Sequence, residues 1–362
     1  MSERTISTGL SVASEAPLLE VDDLAVEFRT RDGVVAAVDG LSFTVTAGRT
    51  LAIVGESGCG KSVSSLAVMG LLGPTARVTR GAVRFRGTDV LAMAPKDRRA
   101  FAGDHVAMVF QDALAALNPV HTVGYQLTEA LRVRRSMGRG EARRRAIELL
   151  DMVKVPRAAD RIRDYPHQFS GGMRQRVMIA AALALDPQVL IADEPTTALD
   201  VTVQAQILRL LAEIQAERQM GLVLITHDLG VVASVADDVT VMYAGHAVEQ
   251  ASVQEIFAAP AHPYTRALLR AMPRLTAGGP TSESVSSLVT DPISSRAQGG
   301  RLDVIPGRPP RPGEVPLGCP FHPRCDAALD LCRTVPPPLV ELPGGRSSLC
   351  HVATEILEAA RG

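Results

Sequence analysis

Gly55-Glu56-Ser57-Gly58-Cys59-Gly60-Lys61-Ser62 is the stretch of this chain most suited to chemistry. A glycine, four residues, a second glycine, a lysine and a serine make the pattern of a loop that wraps a polyphosphate. The glycines let successive backbone N–H groups converge on the phosphates, and the helix that the loop opens adds partial positive charge. Lys61 would bridge the β and γ phosphates of ATP, and the Ser62 hydroxyl would be offered to Mg²⁺. A second candidate is Asp193-Glu194, delivered by the apolar run Val189-Leu190-Ile191-Ala192. Asp193 would help hold Mg²⁺, while Glu194 would orient and deprotonate an attacking water. An acidic pair after a strand can also simply cap the next helix, and the phosphate loop decides for the functional reading.

These groups need a scaffold that brings them together. Leu19, Val21, Leu24, Val26 and Phe28 are apolar at strand spacing, Arg31-Asp32-Gly33 makes a turn, and a second strand region covers 34–45. Thr50 to Val54 is a short apolar run that enters the glycine-rich loop, followed by a helix expected to end near Gly73-Pro74. Further strands are expected at 189–192 and 222–226, separated by a helix over 203–219. This alternation is that of a parallel sheet, whose carboxyl ends gather ligand-binding residues. The stretch 123–156 reads as helical, with Leu127, Leu131, Ile147, Leu150 and Val153 on apolar faces. Arg132, Arg134, Arg135, Arg143, Arg144 and Arg145 lie between them, interleaved with Glu129, Glu141, Glu148 and Asp151. That mixture points to a solvated helical face rather than to nucleic acid.

Composition sets outer limits. The chain has 362 residues, 46% of them hydrophobic, enough for one large core and an appendage. With 38 Lys and Arg against 39 Asp and Glu, the net charge of -1 gives no global attraction to nucleic acid or to an anionic membrane. Residues 1–17 are polar and rich in small residues, do not read as a secretory signal, and are expected to be disordered. The longest apolar run, 177–185, falls far short of the roughly 20 residues that span a bilayer and reads as a buried helix. Residues 273–302 are dominated by Ser, Gly, Thr, Pro and Ala, the composition of a flexible linker.

Phe169-Ser170-Gly171-Gly172-Met173-Arg174-Gln175-Arg176, just ahead of the Asp193-Glu194 strand, resembles the signature motif of ATP-binding cassette proteins. The neighbouring motifs agree. Gln111 in Val109-Phe110-Gln111-Asp112 resembles the Q-loop, Thr197-Ala198-Leu199-Asp200 the D-loop, and His227 in Ile225-Thr226-His227-Asp228 the switch histidine. The resemblance covers 18–272 and implies an α/β phosphate-loop NTPase fold. Its parts would be a RecA-like core, an antiparallel β subdomain and a helical signature subdomain over about 112–178. Glu194, His227 and Gln111 are then the catalytic set, with Gln111 also near Mg²⁺. The ATP contacts would come from Phe28, Gly55, Ser57, Gly58, Cys59, Gly60, Lys61, Ser62, Val63, Asp193 and Asp200. In the family two cassettes pair head to tail, so Ser170, Gly171 and Gly172 would cap the partner's nucleotide. Phe28 would stack on adenine, or else serve only as a strand core residue. Cys59 stands where Ser is common, making oxidative inactivation an expectation, and Phe169 stands where Leu is usual.

Asn118-Pro119, the wording of 170–176 and His262-Pro263-Tyr264-Thr265 narrow the resemblance to the ATPases of oligopeptide and dipeptide importers, whose close relatives also import nickel. The implied partners are a second, related cassette in a heterodimer, two transmembrane permeases and an extracytoplasmic solute-binding protein, with no nucleic acid. The implied location is peripheral, on the cytoplasmic face of the membrane. A soluble cassette ATPase outside transport is the rival reading; such proteins usually carry two cassettes or a long coiled-coil insertion. The region 303–362 holds Cys319, Cys325, Cys332 and Cys350, which in a short cytosolic stretch read as metal ligands rather than disulfides. The resemblance implies a four-iron four-sulfur cluster there. Zinc, with His322 and His351 as further candidate ligands, and reduced structural cysteines are the alternatives.

Overall fold

The computed structural model describes residues 16–31, 33–197, 199–272 and 304–361. The expected linker, and all but the last two residues of the expected disordered N-terminus, lie outside the described residues.

Two sheets carry the fold. The smaller is antiparallel, in the order β2-β1-β4-β5, from β1 (Leu19–Thr30), β2 (Gly33–Val45), β4 (Ala76–Phe85) and β5 (Thr88–Asp89). The larger has eight strands among the described residues, and five of them, running to one edge, are parallel: β9 (Asp238–Tyr243), β3 (Thr50–Val54), β8 (Gly221–Thr226), β7 (Val189–Asp193) and β6 (Val106–Val109), in that spatial order. β3, β7 and β8 are buried along their whole length. Their near-continuous apolar sequences therefore mark strands covered on both faces. Side chains alternate between those faces. Leu190, Ala192, Leu222 and Leu224 join a core with the helices, while Val189, Ile191, Val223 and Ile225 join one with the antiparallel sheet.

The helical stretch expected over 123–156 is two helices, Val123–Arg134 and Arg139–Met152. They are interrupted where Ser136 takes φ 54° and Gly138 caps the second helix. Three of the arginines here are paired with carboxylates: Arg134 meets Asp104, Arg135 lies 3.4 Å from the same carboxylate, and Arg145 bonds Glu148 at 3.2 Å and Asp186 at 3.0 Å. The helix after the glycine-rich loop, Lys61–Met69, stops earlier than expected because Gly70 adopts a left-handed cap at φ 69°.

The C-terminal region extends the main sheet. β10 (His246–Ser252) pairs antiparallel with β9, β12 (Arg346–Leu349) with β10, and β11 (Leu339–Leu342) with β12. Under this seam Glu249 and Arg346, both essentially buried, pair at 3.3 Å. Glu249 also accepts from the Ala261 and His262 backbone N–H groups at 2.6 and 3.0 Å, which offsets part of the cost of burying it.

Candidate functional site

Four adjacent parallel strands end at one edge, and each delivers a candidate residue there. β3 runs into the glycine-rich loop, β6 into Gln111, β7 into Asp193 and Glu194, and β8 into His227. Parallel pairing aligns these ends, with Val54 opposite Thr226 and Asp193 opposite Ile225. Residues more than a hundred positions apart therefore meet because their strands are neighbours.

A cleft of about 850 Å³ opens over this edge. Ser57, Gly58, Gly60, Lys61, Ser62, Val63, Gln111 and Glu194 line one end, and Phe28, Thr30, Val34 and Val35 the other. Phe28 is half-buried and also packs on the core beneath, so it serves as cleft wall and strand residue at once. Gly60 has φ 104°, and a Cβ there would lie 2.5 Å from the Ala37 carbonyl oxygen, so only glycine fits. No side chain caps the helix Lys61–Met69, which leaves its first N–H groups free for an anion. Lys61 Nζ, deeply buried, donates to the Gly55 and Glu56 carbonyls at 2.7 and 3.1 Å, folded over the loop that would hold the phosphates.

Ser62 Oγ donates to Asp193 Oδ1 at 3.0 Å, so two hard oxygen donors stand side by side at the phosphate end. Burial raises the Asp193 carboxyl above its usual range, against the opposing Ser62 bond. A buried carboxylate short of positive charge, next to a hydroxyl, suits a hard divalent cation, and the pair fits Mg²⁺. Glu194 has φ 44°, a left-handed backbone that costs a non-glycine residue roughly 1–2 kcal/mol. Its N–H donates to the Ile225 carbonyl at 3.0 Å, so the strained turn is locked to β8. The Glu194 carboxylate accepts from Gln111 Nε2 at 3.0 Å and Thr197 Oγ1 at 2.9 Å, and His227 Nδ1 lies 3.5 Å away. A carboxylate held by two hydrogen bonds, with a histidine nearby and the cleft beside it, is arranged as a general base.

Some candidates lie elsewhere. Ser170, Gly171, Gly172 and Asp200 do not line the cleft. Ser170 caps the helix Gly171–Ala182 and Asp200 caps Val201–Arg218, accepting from Met173 N at 3.4 Å and Val203 N at 3.0 Å. A Cβ at Gly172 would come 2.5 Å from Val203 Cγ1, so this glycine is also required by the packing of those two helices. Gly55 and Cys59 sit behind the loop. The Cys59 side chain is 5% exposed, and burial pushes its thiol up, which corrects the expectation of an oxidation-prone cysteine.

Sequence reasoning missed the residues that brace the loop from behind. Arg324 forks onto both Glu56 oxygens at 2.6 and 3.0 Å, and Tyr264 Oη accepts from the Glu56 backbone N–H at 3.0 Å. The motif His262-Pro263-Tyr264-Thr265 thereby acquires a physical role. His262 caps the helix Pro263–Arg270, Pro263 starts it, and Tyr264 reaches the phosphate loop. Arg324 precedes Cys325, so an arginine beside a cysteine of the tail was the available signal.

Of the tail cysteines, Cys319, Cys325 and Cys332 join one apolar cluster and Cys350 another with Ala353 and Leu357, and burial is the main cause raising the Cys350 thiol, to about 12. Among the described residues no three His, Cys, Asp or Glu groups converge closely enough to hold a single metal ion. That observation supports neither the expected cluster nor zinc.

Known proteins share this architecture. Residues 38–197 match the family described as ABC transporter, and residues 248–294 and 288–332 match the oligopeptide/dipeptide transporter C-terminal region. The oligopeptide transport ATP-binding protein OppD of Salmonella typhimurium is 45% identical over 350 residues, 95% of this chain and 98% of that protein. The dipeptide transport ATP-binding protein DppD of Escherichia coli is 48% identical over 334 residues, 92% of this chain and 96% of that protein. A solved dimeric ATP-binding cassette, in a post-hydrolysis state bound to ADP and Pi, aligns with a TM-score of 0.59 at 25% identity, over 65% of this chain and 98% of that one. The chain belongs to the ATP-binding proteins of ABC transporters, in the branch that carries the oligopeptide/dipeptide transporter C-terminal region.

Proposed function

We propose that this chain binds and hydrolyses ATP to power the import of oligopeptides or dipeptides through a membrane transporter complex. The observation that carries the ATPase reading is the convergence of Lys61, Ser62, Asp193, Glu194, Gln111 and His227 at one sheet edge. The peptide-import reading is supported by the C-terminal region and by relatives named for peptide transport.

In this reading Phe28 holds the base, and Gly55, Ser57, Gly58, Cys59, Gly60, Lys61, Ser62 and Val63 form the phosphate cradle. Ser62, Asp193 and Gln111 hold Mg²⁺, which offsets charge on the transferring phosphoryl group when bound. Glu194 accepts the proton of the attacking water. Gln111 and Thr197 fix its orientation, and His227 is the neighbour through which the far side of the carboxylate senses the reaction. Ser170, Gly171, Gly172 and Asp200 act across the pairing surface on the partner's nucleotide, a reading supported by their absence from the lining of this chain's own cleft. The cassette spans 18–272 with a helical subdomain over about 112–178, and 303–362 forms the cysteine-bearing extension.

The complex comprises a second, related cassette, two permeases and an extracytoplasmic solute-binding protein, with this chain peripheral on the cytoplasmic face. No helix among the described residues is long and apolar enough to cross a membrane. Cys319, Cys325, Cys332 and Cys350 hold a four-iron four-sulfur cluster of structural role, a reading supported by the four cysteines falling within one short stretch. Iron and acid-labile sulfide assayed on anaerobically purified protein test the cluster, and their absence refutes it. Affinity purification from gently solubilised membranes, read by mass spectrometry, tests the transport reading. Two polytopic permeases with a second cassette and a solute-binding protein support it; ribosomal or DNA-repair proteins in their place refute it.

A further inference from the structure

We propose that the turn Arg311–Glu314 of the C-terminal extension is a second wall of the nucleoside end of the ATP site, covering a base held on Phe28. The inference rests on the ATP-binding reading of the cleft and extends it to a segment outside the cassette. Pro312, Gly313 and Glu314 line the same cleft as Phe28, Val34 and Val35. Just upstream, Pro309 to Pro312 line a smaller crevice of about 200 Å³ together with Glu56, Ser57, Gly58 and Cys59. The segment therefore runs along the outer side of the phosphate loop and ends at the nucleoside end.

Its conformation is fixed by its own sequence. The Glu314 N–H donates to the Arg311 carbonyl at 2.9 Å, and Gly313 has φ 87°. Proline at the second position and a left-handed glycine at the third make a type II turn. A Cβ on Gly313 would stand 3.4 Å from Val35 Cγ2, which measures how closely the turn approaches the β1–β2 hairpin. At its base the segment is tied to the loop: Arg324 Nε donates to the Pro306 carbonyl at 2.9 Å while its other nitrogens grip Glu56. Three prolines in four residues, Pro309, Pro310 and Pro312, leave little chain entropy to lose when a ligand arrives. Chemically, Pro312, Val34 and Val35 offer apolar surface to a purine, and Glu314 offers an acceptor to the amino and hydroxyl donors of a nucleoside.

The test separates the two ends of the ligand. Dissociation constants for ATP and for inorganic tripolyphosphate, which lacks a nucleoside, are measured calorimetrically with Mg²⁺ on the full chain, for Gly313→Val and Glu314→Ala. Arg311 to Glu314 are all exposed, so neither change opens the core, and Glu314→Ala carries the test should the strained valine variant not fold. The expected result is ATP binding weakened about tenfold by Gly313→Val and about threefold by Glu314→Ala, with tripolyphosphate binding unchanged. Unchanged ATP affinity in both folded variants overturns the proposal. So does a parallel loss of both ligands, which would mean that the turn acts only through the phosphate loop. A wild-type chain that binds neither ligand overturns the nucleotide reading itself, and the proposal with it.

Discussion

Arg324→Met keeps the apolar volume of the side chain and removes all its donors. Arg324 is 4% exposed and Glu56 is 26% exposed, and their fork has contacts of 2.6 and 3.0 Å. Deleting one partner of a buried pair costs about 3–5 kcal/mol, because the other charge is left without compensation. Water reaches part of Glu56, which places the loss near the lower end, about 3 kcal/mol. A domain of this size shifts by about 2–4 °C per kcal/mol, so the apparent melting midpoint falls by about 6–12 °C. Glu56→Gln alone leaves the guanidinium facing a neutral amide and costs about 2 kcal/mol. The double variant strands no charge, so it should be no less stable than Arg324→Met, with a coupling of at least about 2 kcal/mol. Thermal unfolding followed by circular dichroism at fixed pH, without nucleotide, reads all four proteins. A midpoint loss below about 3 °C, or single effects that add within about 0.5 kcal/mol, would refute the claim that this pair is a buried brace rather than a solvent-screened contact.

Glu194→Gln should retain ATP binding while phosphate release falls by about 10²–10⁴; a loss smaller than tenfold would remove Glu194 from the role of base. Saturating ATP should stabilise the wild type by about 2.7 kcal/mol at a hundred times its dissociation constant, and Lys61→Ala should abolish that shift, as read by melting with and without nucleotide. Burial pushes His262 down to about 3, whereas in the unfolded chain it titrates near 6.5. The unfolded state therefore takes up the proton first, so this contribution is complete above pH 6.5 and declines below it, by about 2 kcal/mol at pH 5. His262→Asn keeps a helix-capping side chain and should flatten that part of the pH profile; parallel profiles for the two proteins would sink the assignment.

The local parts of the site were legible because each lies within a few residues. Gly55 to Ser62 carries its turn chemistry in its own order, and Asp193-Glu194 follows a strand that is apolar throughout. What lay between them was harder to read. The strand Ala76–Phe85 is interrupted by Arg77, Arg80 and Arg84, which pair across the exposed face with Glu27, Asp23, Asp39, Glu20 and Asp22, so its sequence lacks an apolar run. The break between Val123–Arg134 and Arg139–Met152 depends on a left-handed serine that periodicity does not register. The brace on the phosphate loop joins Glu56 to Arg324 and Tyr264, 268 and 208 positions away, and no local pattern encodes contacts of that span. The left-handed backbone of Glu194 was equally hidden, since nothing in its residue type announces it.

The late arrival of β12 has a consequence for how the protein is made. β10 ends at Ser252 and its edge partner at Leu349, so roughly 5–20 s separate their synthesis at about 5–20 residues per second. During that interval β10 offers unpaired N–H and C=O groups to any neighbouring chain, the condition under which nascent proteins cross-associate. The sheet is completed only once residues 339–349 have emerged. A message truncated after the cassette should therefore yield a product prone to insoluble association even though every nucleotide-binding motif is present.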